Sequence, residues 1–95
     1  MRIDFIVCPD EILEKLARKH SVSEQEARQV LLNNPCIRFA ENGYVEGEDV
    51  YAAFGQTFGN RYLSVFFVYK PHNKTAVIIS ARDMSQKERK AYGRK

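Results

Sequence analysis

The sequence predicts a small α+β domain, with helices packed on one face of an antiparallel β-sheet in the order β-α-α-β-β-β-β-α. Three observations support this prediction. A chain of 95 residues closes one hydrophobic core, so residues 1–95 form a single domain. Apolar residues recur at helical spacing in two segments near the start of the chain, a capping box marks a further helix near its end, and most of the short apolar strand segments lie between them. Helices segregated from strands in this way are typical of the α+β class.

The first strand and the first helix are predicted from a change in the spacing of apolar residues along the chain. Residues 2–7 alternate in a way that predicts a short strand, with Ile3, Phe5 and Val7 on one face. Residues 10–19 instead carry apolar side chains at helical spacing, and basic side chains near the end complement a helix C-terminus.

Two capping boxes predict where the other helices begin. Ser23 can accept a hydrogen bond from the amide of Glu26, whose carboxylate can reach back to the amide of Ser23. This helix should stop at the Asn-Asn-Pro sequence that follows. Ser85 and Glu88 repeat the pattern and predict a last, strongly basic helix.

The remaining strands are predicted at residues 36–40, 50–57, 62–69 and 75–82, with a polar loop at 41–49. Short turns join the last three strands, which therefore form an antiparallel meander. Residues 62–69 are apolar on both faces, so this strand is expected in the middle of the sheet.

Composition limits the classes of protein that the chain can belong to. Cys8 and Cys36 are expected to be reduced, and no spacing of metal ligands is present. Acidic residues in the first twenty positions argue against a secretory segment, and no run approaches the roughly 18 apolar residues of a membrane span. We therefore expect a cytoplasmic protein with no metal, cofactor or membrane partner.

The positive charge is concentrated at one end of the chain. Residues 82–95 contain six of the 15 basic residues and two of the 12 acidic ones, so they carry +4 while the rest of the chain carries −1. Such a cluster attracts polyanions through counterion release, which makes nucleic acid a natural partner. The alternative is a solvated helix with a frayed basic tail.

Arg82 is the first candidate for a functional side chain. A side-chain period of two places Ile78, Ser80 and Arg82 on one side of their strand, and we expect that side to leave the core near the strand end. A guanidinium at this rim can bind a phosphate through two N–H groups and stabilise a phosphorane-like transition state. In the alternative, Arg82 pairs with a carboxylate such as Asp83 or Glu88 and only closes a surface.

Three further side chains have both a functional and a structural interpretation, and a fourth, His72, has only a structural one. His20, at a helix end, is either a general acid or base or a C-terminal cap, since an unperturbed imidazole titrates near neutral pH. Arg61 either joins a basic surface or anchors the turn before its strand. Tyr92 either stacks on a base or packs on the sheet, and His72 is expected in a solvated turn. Residue types alone lead to an RNA-binding surface and no further.

Two blocks of the sequence are more specific. The first contains Lys19-His20, Val22-Ser23 and Glu26-Ala27, and the second contains Ile78-Ile79-Ser80-Ala81-Arg82, Glu88-Arg89 and Tyr92. With Gly47-Glu48 and Gly59-Asn60-Arg61 between them, they resemble the BrnT family of toxins from type II toxin–antitoxin systems. The resemblance covers nearly the whole chain, and the second block is its most specific part.

This resemblance implies a RelE-like fold and a metal-independent ribonuclease that arrests growth by cutting RNA. It also implies a BrnA-like antitoxin, a DNA-binding ribbon-helix-helix protein that dimerises, covers the active surface and represses its operon, with the toxin as a dimer or in a 2:2 assembly. The matching residues expected in catalysis are His20, Arg61, Arg82 and Glu88. The residues expected to bind RNA are Lys87, Arg89, Lys90 and Tyr92. Both His20 and Glu88 are candidates for the acceptor of the 2′-hydroxyl proton.

The chain departs from the family pattern at two positions. Ser21 stands where the family has glycine, and Val77 stands where it has an arginine five residues before Arg82. Loss of that cation would reduce activity or alter substrate choice. A non-catalytic RNA- or partner-binding module on the same fold is therefore the alternative function. A structural protein whose basic tail meets an acidic partner is a third.

Overall fold

A computed structural model describes residues 1–43 and 47–93, and within them the chain forms five strands and three helices in the predicted order. The elements are β1 (Phe5–Val7), α1 (Asp10–His20), α2 (Glu24–Leu32), β2 (Cys36–Glu41), β3 (Val50–Gln56), β4 (Tyr62–Lys70), β5 (Thr75–Asp83) and α3 (Gln86–Gly93). The predicted α+β class is confirmed. Part of the predicted loop, residues 44–46, and the last two residues of the basic tail, 94–95, lie outside the described residues.

The strands form one sheet in the order β1-β5-β4-β3-β2. Strands β3 to β5 form the predicted antiparallel meander, with β4 in the middle of the sheet, and β2 adds a further antiparallel strand beside β3. The sheet is mixed rather than wholly antiparallel, because β1 pairs in parallel with β5. The pattern of β1 alone could not reveal this, since its partner lies about seventy residues later in the chain.

The first strand is shorter than predicted, and its inward face differs. Ile6 packs against the core, and so does Ile3, which precedes the strand. Phe5 and Val7 are 62% and 46% exposed. The prediction that Ile3 shares a face with Phe5 and Val7 is therefore wrong, because regular alternation begins only at Phe5.

Helices α1 and α2 pack on one face of the sheet and close the hydrophobic core. Leu16 of α1 and Val30 of α2 are almost fully buried in one cluster with Leu63, Val65 and Phe67 of β4. Burial of a side chain of this size contributes about 1.5–3 kcal/mol. We call this side of the sheet the core face.

Helix α3 lies on the opposite side, which we call the α3 face. Alternation along β4 points Tyr62 and Ser64 away from the core-face residue Leu63. Both contact α3: the Ser64 hydroxyl donates to Glu88 at 3.1 Å, and the Tyr62 ring meets Tyr92 edge-to-face at 6.0 Å. The prediction that the helices share one face is wrong for α3.

A β-bulge in β5 decides which of its residues reach the α3 face. Ile78 and Ser80 pair with consecutive residues of β4, so Ile79 has no partner there. Ile78 is fully buried in the core, whereas Ser80 lies on the α3 face with Arg82, which stands opposite Ser64. The prediction that Ile78, Ser80 and Arg82 share one side is therefore wrong. The extra residue reverses the alternation and turns Arg82 away from the core.

Candidate active site

Arg82 and Glu88 form a two-point ion pair on the α3 face. Arg82 Nη1 lies 2.7 Å from Glu88 Oε1, and Arg82 Nη2 lies 2.8 Å from Glu88 Oε2. The carboxylate also accepts hydrogen bonds from the Ser64 hydroxyl at 3.1 Å and from the Ser85 amide at 2.9 Å. The second of these bonds belongs to the predicted capping box, which the Ser85 hydroxyl completes by accepting from the Glu88 amide. The helix cap therefore also fixes the partner of Arg82.

These contacts set the ionisation of Glu88. Hydrogen bonds from Arg82 are the main reason why the pKa of Glu88 falls to about 2, while burial acts in the opposite direction. A carboxylate with this pKa is ionised throughout the neutral range and is a poor proton acceptor. Glu88 is thus better suited to holding Arg82 in place than to acting as a general base.

Arg82 retains a second edge for a ligand. Glu88 occupies the terminal edge of the guanidinium, and Nη1 also donates to the carbonyl of Asp83 at 3.2 Å. Nη2 uses one of its two N–H groups for Glu88. The side edge, formed by the Nε–H and the other N–H of Nη2, has no acceptor among residues 1–43 and 47–93, and the side chain is 38% exposed. The guanidinium lies 5.4 Å from the centre of the Phe66 ring, which supports it from the sheet. A phosphate can bind the side edge at two points while Glu88 stays in place.

Arg61 belongs to a second cluster, where β4 begins and β5 ends. Its guanidinium binds the carboxylate of Asp83 at 2.9 and 3.2 Å and that of Glu26 at 3.2 Å. It also donates to the carbonyls of Ser21 at 2.7 Å and His20 at 3.1 Å. Both edges of this guanidinium are occupied, so a phosphate would have to displace protein acceptors. These bonds tie the end of α1 to the start of α2 and the end of β5.

His20 lies beside the second cluster. The pKa of Asp83 is lowered mainly by hydrogen bonds from Arg61 and, to a smaller extent, by the nearby His20. Asp83 points to the core face and Arg82 to the α3 face, because they are consecutive residues of one strand. The two candidate proton acceptors, His20 and Glu88, therefore lie in different clusters on opposite sides of β5.

Helix α3 presents basic side chains around the site. Lys87 and Lys90 are exposed, and their spacing of three residues places both on one side of the helix. The Arg89 guanidinium lies 4.1 Å from the centre of the Tyr62 ring, in a cation–π contact. Tyr92 is half-buried, lies three residues later on the same side of the helix, and meets the same Tyr62 ring edge-to-face.

A pocket of about 80 Å³ opens on the α3 face beside the Arg82–Glu88 pair. It is lined by Cys36, Arg38, Phe54, Glu88, Ala91 and Tyr92. Glu88 belongs to both features, so the pocket and the ion pair are neighbours. The pocket lies between α3 and strands β2 and β3, at the same end of the sheet as Arg82.

Sequence reasoning missed three residues of this region. A buried polar residue in an apolar strand marks Ser64, and that signal was present in the sequence. Arg38 and Phe54 gave no comparable signal. They lie on the α3 face only because β2 and β3 pair in the observed register, with Cys36 opposite Phe54 and Arg38 opposite Ala52.

In the part of the chain that the structure describes, no group of three histidine, cysteine or acidic residues could hold a metal ion. Cys8 and Cys36 are free thiols. None of the described helices has the length and apolar character that a membrane crossing requires.

Comparison with models of protein families gives a match over residues 13–88, which span both capping boxes and both arginine clusters. The matching family is described as "Ribonuclease toxin, BrnT, of type II toxin-antitoxin system". The class of protein is therefore that of the ribonuclease toxins of type II toxin–antitoxin systems. Within that class, the chain belongs to the BrnT family. A comparison with curated proteins finds no match.

Proposed function

We propose that this chain is a metal-independent endoribonuclease that cuts RNA in the cytoplasm and so inhibits growth. The observation that best supports the proposal is the geometry of Arg82. Its terminal edge is held by an ionised carboxylate, and its side edge is open to a phosphate. A cation that is held in position before the substrate arrives stabilises developing negative charge without reorganisation.

In the proposed reaction, the 2′-oxygen of a nucleotide attacks the adjacent phosphorus, and the bond from phosphorus to the 5′-oxygen breaks. The products carry a 2′,3′-cyclic phosphate and a 5′-hydroxyl. Water accepts the 2′-proton, and the leaving 5′-oxygen takes a proton from water. Arg82 stabilises the extra negative charge on the phosphate oxygens, an effect that is typically worth about 10²–10³-fold in rate for one donor.

The other predicted residues take supporting roles in this proposal. Glu88 positions Arg82 through its two-point contact. Arg61 and His20 act from the second cluster by holding the end of β5 from which Arg82 projects. The exposed cations of α3, Lys87, Arg89 and Lys90, attract and hold the RNA backbone. Tyr92 contributes an aromatic surface beside them.

We further propose that a BrnA-like ribbon-helix-helix antitoxin neutralises the chain by covering the α3 face, in a 2:2 assembly. The exposed cations of this face favour an acidic partner surface. Such a protein would occlude the side edge of Arg82 without unfolding the toxin.

A non-catalytic RNA-binding module is a second candidate function, and one observation favours it. The carboxylate beside Arg82 belongs to Glu88, whose low pKa makes it a poor base. His20, the other candidate, lies in the second cluster. RNA would then bind the α3 face and remain intact.

The two functions are separated by incubating the purified chain with an end-labelled single-stranded RNA in EDTA. The proposed ribonuclease predicts cleavage that persists in the chelator and yields 2′,3′-cyclic phosphate ends. Intact RNA that is bound with a steep salt dependence would support the binding module instead. RNA that is neither bound nor cut would contradict both.

A further inference from the structure

We propose that the pocket between Phe54 and Tyr92 is a nucleobase subsite, in which one unpaired base of the RNA stacks while Arg38 binds acceptor atoms on its edge. This inference rests on the proposed function, because it takes the ligand of the α3 face to be RNA. It identifies one base as the part of the RNA that the pocket contacts, and Phe54, Tyr92 and Arg38 as the residues that contact this base.

The position of the pocket fits one nucleotide next to a phosphate on Arg82. Phe54, Ser64 and Arg82 stand directly opposite one another on β3, β4 and β5. Neighbouring strands are about 4.8 Å apart, so Phe54 lies about 10 Å from Arg82 across the α3 face. Glu88 fills the space between them, since it binds Arg82 and also lines the pocket.

The walls of the pocket suit a flat ring. Phe54 and Tyr92 supply aromatic surfaces, and Ala91 leaves room between helix and sheet. Stacking of a base on an aromatic side chain is worth about 1–3 kcal/mol and occurs with every base. A volume of about 80 Å³ is well below the roughly 300 Å³ or more of sites that enclose a whole small molecule. The pocket is therefore suited to part of a ligand held elsewhere, as a base is held through its phosphate.

Arg38 supplies the polar recognition. Its side chain is exposed on the edge strand β2, two residues from Cys36 at the pocket wall, and it also lines the pocket. Within residues 1–43 and 47–93 it has no hydrogen-bond or ion-pair partner. Arginine commonly forms two hydrogen bonds to acceptors on a base edge. A cation on the rim of an aromatic pocket favours a base with such acceptors over other flat ligands.

The test uses a short single-stranded RNA with 2′-fluoro sugars throughout, which has no 2′-hydroxyl and cannot be cleaved by the proposed reaction. One abasic position is moved along it, and affinity is measured by fluorescence anisotropy. For the unchanged protein, we expect one abasic position to weaken binding about tenfold or more, in line with the stacking range. In Phe54→Leu the same abasic position should lower the affinity for the RNA less than about threefold, because the stacking partner of the base has already been removed.

Arg38→Gln provides a second variant whose fold is not at risk, because the side chain is exposed. It should weaken binding of the intact RNA. It should also reduce the difference in affinity between RNAs that carry different bases at the position where an abasic site weakens binding. Arg18→Gln, on an exposed turn of α1, is the matched control and should leave both unchanged. Circular dichroism and thermal melting establish that each variant is folded.

Equal effects of every abasic position, or full effects that persist in Phe54→Leu and Arg38→Gln, would overturn the subsite. Absence of RNA binding would overturn both the subsite and the proposed function. Because this readout needs no cleavage, coupling between the base and Phe54 in a chain that never cuts RNA would leave the subsite standing and remove only the ribonuclease. Cleavage of RNA without coupling between the base and Phe54 would leave the ribonuclease standing and remove the subsite.

Discussion

The carboxylate of Glu88 meets the terminal edge of the Arg82 guanidinium at 2.7 and 2.8 Å and leaves the side edge of the same group open. One residue of β5 and one residue of α3 thus form a unit in which the carboxylate orients the cation. The cation in turn keeps the carboxylate ionised.

Replacement of Glu88 by glutamine should give a pH-dependent loss of stability. The pKa of Glu88 is lowered to about 2 in the folded chain, so its stabilising effect is complete above its ordinary value of 4.5 and is lost as the pH falls towards 2. At pH 7 we expect Glu88→Gln to lower the free energy of unfolding by about 1–3 kcal/mol, as for other hydrogen bonds to charged groups. Urea unfolding at pH 7 and near pH 2.5 measures the effect, and an equal difference at both pH values would contradict it.

Arg61→Met should act on stability more than on chemistry. The variant removes hydrogen bonds to Asp83 and Glu26 and leaves the half-buried carboxylate of Glu26 without its cation, whereas the Asp83 carboxylate is 65% exposed. We therefore expect a loss of about 1.5–3 kcal/mol in the free energy of unfolding, as for hydrogen bonds to charged groups. Cleavage per folded molecule, measured below the melting temperature of the variant, should stay within about tenfold of the unchanged protein. A variant of normal stability with no activity would place Arg61 at the phosphate instead.

His20→Gln tests the position of the other candidate base. Because His20 lies with Asp83 on the far side of β5 from Arg82, we expect the rate of cleavage to change less than about tenfold. The pH profile of the rate should also keep its shape. A loss of about a hundredfold or more, with a flattened profile and unchanged stability, would make His20 the general acid or base.

Local signals predicted more of this structure than long-range ones did. Both capping boxes follow from residues three positions apart, and both form as predicted. The bulge at Ile79 does not follow from its strand, because it depends on how β5 pairs with β4. The bulge determines the geometry of the candidate site, since it turns Arg82 towards α3. For Arg82 and Arg61, the sequence left a carboxylate partner or an anchoring role open, and only the contacts distinguish a guanidinium with an open edge from one that is fully occupied.

Val77→Arg tests whether cation content limits binding on the α3 face. Val77 pairs with Val68 before the bulge, and alternation along β4 places that pair on the same face as Ser64. An added cation there should tighten RNA binding about three- to tenfold at low salt. It should also make the slope of log affinity against log salt concentration steeper by about one, since about one more counterion is released. Ala17→Arg adds the same charge on an exposed position of α1 and is the control. Equal gains from both variants would show that only net charge matters.

The most direct test of the central claim compares the rate of RNA cleavage in EDTA for the unchanged chain, Arg82→Ala and the control Arg18→Ala. All three are first confirmed as folded by thermal melting. We predict that Arg82→Ala lowers the maximal rate by about a hundredfold or more, as expected for loss of one preorganised charge donor, and that Arg18→Ala has no effect. Cleavage by folded Arg82→Ala at the rate of the unchanged chain would contradict the account and remove Arg82 from the mechanism.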